Sequence, residues 1–378
     1  MDTVTRQLPL VEQDRAVGWR APFLRDWLAH PERDPYWERS SIGGQYPQVT
    51  AAAYHTGGWF DSFLNGTLEG YVAMTSPEVD PQVRARQKLR IGPWAHVSTG
   101  PVVGELDFGA AAAFGNTDTL RLRWFDSQLK GLPNGILDEP PVQLFVMGRN
   151  VWRLEHEWPL ARTRYTAYYL HSAGRANTLS GDGVLSPKPP GREPPDGFTY
   201  DPQDPVPSTA DGSPLAAFAG GPYDHRRIEA RPDVLVYTTP VLQRDLEVTG
   251  PVVVNLHAAS SAPNTDFTAK LLDVYPDGRA MRLCEGILRA SFRDGPTHTS
   301  NITPGQVYAY RIDLWATSNV FLEGHRIRVE VSSSNFPRFD RNLNTGLDFA
   351  ADSTWARAEQ TIYHTAEHAS HIVLPVIE

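Results

Sequence analysis

Thr56-Gly-Gly-Trp-Phe-Asp-Ser-Phe-Leu-Asn-Gly-Thr-Leu68 and Leu89-Arg-Ile-Gly-Pro-Trp-Ala-His96 decide the reading of this chain. Before the first lies a short small-and-apolar run, Gln48–Thr56, closed by Gly57-Gly58. After it, Phe63, Leu64, Leu68, Tyr71 and Val72 recur at helical spacing. The second sits in RQKLRIGPW (86–94), which reads as a strand, and NTDTLRLRWFDSQLKG (116–131) reads as a helix closed by Gly131. Strand, helix, strand, helix implies an α/β unit with a parallel sheet. In such sheets functional side chains gather at the carboxyl ends of strands, and Asp61 and His96 each follow a strand.

Further along, the period changes. HRIRVEVS (325–332) sets Ile327, Val329 and Val331 on one face and Arg326, Arg328 and Glu330 on the other, which reads as solvated. VYAYRIDLW (307–315) alternates through Tyr308, Tyr310, Ile312 and Leu314. Half-buried antiparallel strands in this number imply a β-sandwich or jelly roll. Between the two patterns, residues 186–222 are too rich in proline for a core helix or central strand. Near the start, Phe23, Leu24, Trp27, Leu28, Tyr36 and Trp37 are interleaved with Pro31 and Pro35, giving short helices that need a surface to pack on. The expected organisation is a helical segment over 1–45, an α/β unit over 46–150 and an all-β unit over 151–378.

Composition narrows the functional class. The 378 residues carry 35 Lys+Arg against 44 Asp+Glu, a net −9, with no basic stripe, which argues against nucleic acid and anionic membranes as partners. One cysteine, Cys284, leaves no disulfide scaffold or cysteine-based zinc site. No apolar run reaches the ~18 residues of a membrane span, and the first fifteen residues show no secretory h-region. A cytoplasmic location is expected. HTAEHASH (364–371) formally matches a zinc pattern, but it lies between two strand-like runs and reads as a hairpin loop; DVYPDG (273–278) reads as a turn. No metal or cofactor is expected.

An acid followed by a histidine on consecutive strand ends is the later part of the Ser…Asp…His order of α/β-hydrolases. The carboxylate would hold the imidazole tautomer, and the imidazole would take the proton of a nucleophile hydroxyl. The structural alternatives are a helix N-cap for Asp61 and a turn histidine for His96.

TGGWFDSFLNGTL and LRIGPWAH resemble the GWYD…GPWxH signature of the X-Pro dipeptidyl-peptidase, cocaine esterase and α-amino-acid ester hydrolase family. FLRDWLAHPERDPYW (23–37) is similar to the end of that family's helical cap. DVLVYTTPVL (233–242), the run from Leu246 to Ala280, GHRIRVEVSSSNFPRFDRNLNTG (324–346) and IVLPVI (372–377) resemble its jelly roll. The resemblance implies a partial α/β-hydrolase sheet with a cap remnant, followed by a galactose-binding-like jelly roll. It also implies Asp61 as triad acid, His96 as general base, and Phe63 lining an acyl pocket, with Leu215 and Phe218 as looser lining candidates. The implied substrates are amides after X-Pro dipeptides, or esters and amides of hydrophobic acyl groups.

The family's Gly-x-Ser-Tyr-x-Gly nucleophile elbow has no counterpart here. HVSTG (96–100) has His96 at the first glycine position, Ser62 opens a helix, and Cys284 reads as a buried apolar residue. The expectation is a hydrolase part with acid and base but no nucleophile, inactive by itself. Its open sheet edge would be covered by a complementary chain or a homo-oligomer. The rival is a non-catalytic binding or assembly protein.

Overall fold

The computed structural model describes residues 2–114, 116–209 and 220–378. The first sheet holds four strands in the order β1-β2-β5-β6: β1 Ala53–Phe60, β2 Gln87–Ala95, β5 Val142–Val146 and β6 Val151–Glu155. A two-stranded hairpin, β3 Val102–Val103 with β4 Leu106–Asp107, lies between β2 and β5 in the chain. β1, β2 and β5 are parallel, whereas β6 returns antiparallel to β5. The sheet is therefore mixed rather than purely parallel, because a four-residue turn joins β5 to β6 and leaves no room for a crossover helix. β6 also carries the first sheet past residue 150. The double glycine, expected to close the first strand, lies inside β1.

Helix Leu64–Met74 presents Leu64, Leu68 and Tyr71 to the sheet, all at most 5% exposed. Helix Asn116–Lys130 docks through Trp124, edge-on to Tyr54 with ring centroids 5.5 Å apart. It stops at Gly131, whose φ of 67° suits a residue without Cβ. Its Leu122, Phe125 and Leu129 remain 60%, 53% and 78% exposed.

The remaining strands form an all-β unit: β7 Arg164–His171, β8 Val184–Ser186, β9 Asp196–Tyr200, β10 Leu235–Thr238, β11 Leu246–Ser260, β12 Asp266–Val274, β13 Ala280–Arg289, β14 Tyr308–Phe321, β15 Arg326–Ser332, β16 Ala358–Tyr363 and β17 His371–Ile377. Their order is β13-β12-β15-β10-β8-β7-β17-β11-β16-β9, with β14 paired to β11. Pairing is antiparallel apart from a one-residue parallel contact of β8 with β10. β9 is a strand inside the proline-rich stretch, and it is the end strand of the path, where missing donors are tolerated.

Ile327, Val329 and Val331 are fully buried, as the alternation requires. The opposite face is not solvated. Arg328 pairs with the fully buried Glu229 at 2.7 Å, and Glu330 meets His225 at 3.1 Å and Lys270 at 3.6 Å. The segment from Gly221 to the helical turn Arg226–Glu229 covers this face, so its charges neutralise one another under a lid of chain. Burial and the adjacent Glu330 push the Glu229 carboxyl above its ordinary range.

The N-terminal helices Pro22–Ala29 and Pro35–Glu38 break where the prolines predict. This segment packs on the all-β unit. Val11 N donates to Ala350 O, Arg33 N to Pro296 O, and Glu32 accepts from Thr299 N at 2.8 Å. One apolar core runs through both sheets, from Ile91 and Leu144 to Val254, Ile312 and Leu374, each fully buried.

Candidate active site

β1 and β2 are parallel neighbours with Phe60 opposite Ala95, so Asp61 and His96 leave the sheet side by side. The local aim depends on a bulge. Gly58 faces Gly92 while Phe60 faces Ala95, so β2 carries one residue more than β1 over this step. Both glycines are required there. A Cβ on Gly58 would lie 2.2 Å from the Trp94 carbonyl oxygen, and one on Gly92 would lie 2.5 Å from the Trp94 indole.

His96 Nδ1 lies 3.2 Å from Asp61 Oδ1. The same oxygen accepts from Phe63 N at 2.8 Å, and Leu64 N donates to the Asp61 carbonyl at 3.1 Å. Asp61 therefore both shapes the helix entry and holds the imidazole. The side chains are 19% and 41% exposed. A contact this open contributes at most about 1 kcal/mol, so its consequence is orientation rather than stability. In the neutral tautomer that donates Nδ1–H to the carboxylate, Nε2 carries the lone pair. That nitrogen makes no hydrogen bond among the described residues. Phe63 is 65% exposed and stands edge-on to the His96 ring, centroids 4.9 Å apart. The structure thus brings Asp61, His96 and Phe63 together.

The other candidates are elsewhere or otherwise engaged. Ser98 Oγ donates to Val102 O at 3.2 Å within the turn after β2. Ser62 is exposed at the helix entry. Cys284 is 8% exposed, and burial pushes its thiol far up. Leu215 and Phe218 lie outside the described residues. Trp59 and Trp94 are packing residues: Trp59 Nε1 donates to Phe145 O, and Trp94 Nε1 to Ala112 O. Within 364–371, His364 turns into the core, Nε2 2.9 Å from Asp196 Oδ2, while His371 Nδ1 binds Ala369 O in the hairpin. Asp273 pairs with His325. Among the described residues no group suited to a metal ion occurs, and no described helix is long and apolar enough to cross a membrane.

Sequence reasoning passed over the floor of the site. A small cavity under Asp61 is walled by Trp59, Gly221, Arg282, Glu285, Trp315 and Arg338. Glu285 accepts from Arg282 at 2.5 Å, Arg338 at 2.6 Å and Asn335 at 2.9 Å. Burial opposes its charge, yet these cations with Lys270 and His225 hold the carboxyl well below the usual range.

The chain has relatives among known proteins. Residues 3–98 match the family model of X-Pro dipeptidyl-peptidase (S15 family), and residues 134–373 that of the X-Pro dipeptidyl-peptidase C-terminal non-catalytic domain. A cocaine esterase of Rhodococcus sp. (strain MB1 Bresler) is 42% identical over 98% of this chain and 64% of its own length. An α-amino acid ester hydrolase structure superposes with a TM-score of 0.85 at 27% identity, over 98% of this chain and 63% of that one. An aminopeptidase from a marine sediment Thaumarchaeota archaeon gives 0.84 at 28% identity, over 94% and 60%. The chain thus spans less than two thirds of the length of each. With a mixed α/β unit, an all-β unit and matches along nearly its whole length, the chain belongs to the X-Pro dipeptidyl-peptidase, cocaine esterase and α-amino-acid ester hydrolase family of hydrolases.

Proposed function

We propose that this chain supplies the acid and base of serine-hydrolase acyl transfer on esters or amides of hydrophobic acyl groups, with Asp61 and His96 in those roles. The observation that carries the reading is the 3.2 Å contact between Asp61 Oδ1 and His96 Nδ1 at the carboxyl ends of adjacent parallel strands. Asp61 fixes the Nδ1–H tautomer and stabilises the imidazolium. His96 Nε2 takes the proton of a serine hydroxyl as its oxygen attacks the substrate carbonyl, then returns that proton to the leaving group. Water, deprotonated in turn by Nε2, attacks the acyl carbonyl, and that proton passes to the serine oxygen as the acid leaves. Phe63, exposed beside His96, gives the acyl group an apolar wall.

No Gly-x-Ser-x-Gly occurs in the sequence, and we assign the nucleophile to a segment outside these 378 residues. Among the described residues β1 has an open edge, and helix Asn116–Lys130 beside it shows an apolar stripe. A strand-and-helix partner carrying the serine fits both features. The all-β unit is read as a jelly roll, because its path of strands ends with β13 packed against β14, which pairs with β11.

The test is complementation. The segment of the cocaine esterase relative that this chain does not match is fused ahead of it, and hydrolysis of 4-nitrophenyl esters is followed. The chain alone should hydrolyse no faster than His96→Ala. The fusion should be active, and His96→Ala or Asp61→Ala should cost it about 10²-fold or more in kcat/KM. A fusion whose rate survives His96→Ala refutes the assignment.

A further inference from the structure

We infer that the all-β unit positions the Asp61–His96 pair through a backbone wedge at Gly220–Gly221 that Arg282 holds in place, an inference resting on the acid–base reading above. Three glycines make the wedge possible, and all have positive φ: Gly104 at 56°, Gly220 at 74° and Gly221 at 131°. A Cβ on Gly220 would fall 2.4 Å from the Phe60 carbonyl oxygen and 3.6 Å from Ala95 Cβ. Phe60 and Ala95 immediately precede Asp61 and His96. The backbone of Gly220 therefore rests on the last strand residue beneath each member of the pair. On its other flank, a Cβ on Gly221 would be 3.1 Å from Gly104 Cα, and one on Gly104 would be 2.4 Å from Pro222 O.

Arg282 is the anchor. Its guanidinium, 4% exposed, donates to Gly221 O at 2.8 Å through one arm and to Glu285 at 2.5 Å through the other. Glu285 is fixed in turn by Arg338 and Asn335. The segment after the wedge lies along β13: Arg282 N donates to Tyr223 O, His225 N to Ala280 O, and Ala280 N to Asp224 Oδ1. Glu105 N donates to Pro222 O at 2.9 Å and ties the same segment to the loop after β2. A planar, always-charged group with two donor arms suits this post, since one arm can be locked to a buried carboxylate while the other grips a carbonyl. Arg282 and Gly220 are thus positioning residues: neither touches the imidazole, and both fix the strand ends from which Asp61 and His96 project.

The readout is the tautomer of His96, taken from the ¹⁵N shifts of its ring at alkaline pH and assigned by their loss in His96→Gln. The wild-type chain should hold mainly Nδ1–H, and Asp61→Ala should move the ratio toward Nε2–H. If those two spectra agree, the acid–base reading itself fails. Given that they differ, Gly220→Ala and Arg282→Met should each move the ratio toward Nε2–H by about threefold or more. His364, paired with Asp196 away from the wedge, should keep its shifts and report an intact fold. A wild-type ratio in Gly220→Ala overturns the inference while leaving the acid–base reading standing. Should Gly220→Ala disturb His364, Arg282→Lys decides: it keeps the charge and loses the second arm, and an unchanged ratio there overturns the inference.

Discussion

Gly148→Ala should weaken the join between the two units far more than its backbone conformation alone explains. Gly148 follows β5 with φ 80°, and a Cβ there would lie 2.2 Å from Val320 O of β14. Around it, Met147 N donates to Ser318 O at 3.0 Å and Val320 N to Met147 O at 2.9 Å, the bonds that tie the first sheet to the second. Gly305 has the same φ, 80°, but a Cβ there meets nothing within 4 Å. Left-handed backbone costs an alanine about 1–2 kcal/mol at either site. At Gly148 the neighbouring strand must also retreat by about 1 Å. That strains two buried backbone bonds, whose loss costs about 1–3 kcal/mol each where no water replaces them. The expected losses are about 1–2 kcal/mol for Gly305→Ala and about 4 for Gly148→Ala. Urea unfolding followed by tryptophan fluorescence reads the difference. With a slope of about 3 kcal/mol per molar, the midpoints should fall by about 0.5 M and about 1.3 M respectively. Equal shifts in the two variants would refute the argument that close approach, rather than φ, makes Gly148 necessary.

Two further outcomes are expected. His364→Gln should destabilise more at about pH 5.5 than at about pH 9: burial alone would lower this imidazole, but Asp196 and Glu193 raise it, so its contribution is complete below its unfolded value of about 6.5 and disappears as pH rises through the folded one. An equal loss at both pH values, by thermal melts, would show that the ring is held neutral. In size-exclusion with light scattering the chain should associate through the exposed stripe of helix Asn116–Lys130, and Phe125→Glu with Leu129→Glu should reduce both the mass and the binding of an apolar dye; a wild-type monomer that binds no dye would count against an open apolar face.

The parts of the structure that follow simple periods were legible in the sequence. Ile327, Val329 and Val331 face the core because a regular strand alternates, and Asp61 and His96 meet because consecutive parallel strands end side by side. The charged layer was not legible, because alternation is broken where it matters. Arg282 and Glu285 are three residues apart, which places them on opposite faces of a regular strand. The bulge at Leu283, opposite the step from Leu271 to Leu272, turns both to the same side. Arg328 and Glu330 look solvated in the sequence because the chain that covers them, from Gly221 to Glu229, is more than ninety residues earlier and has no period of its own. The place of β6 in the first sheet is illegible for a related reason: the strand is short and its Trp152 and Leu154 alternate as an all-β strand would.

The docking of the N-terminal helices on the all-β unit also sets a timetable for synthesis. Arg6 O receives its bond from Arg341, 335 positions later, and Glu32 receives Thr299, 267 positions later. At roughly 5–20 residues per second, the surface that the first helices require emerges about 15–60 s after the helices themselves. Through that interval Trp19, Phe23 and Trp27 have only neighbouring rings of the same segment to pack on, and even in the finished chain they stay 59%, 47% and 48% exposed. A nascent chain stalled before Thr299 should therefore be the form that holdase chaperones retain, and release should coincide with the appearance of the last strands.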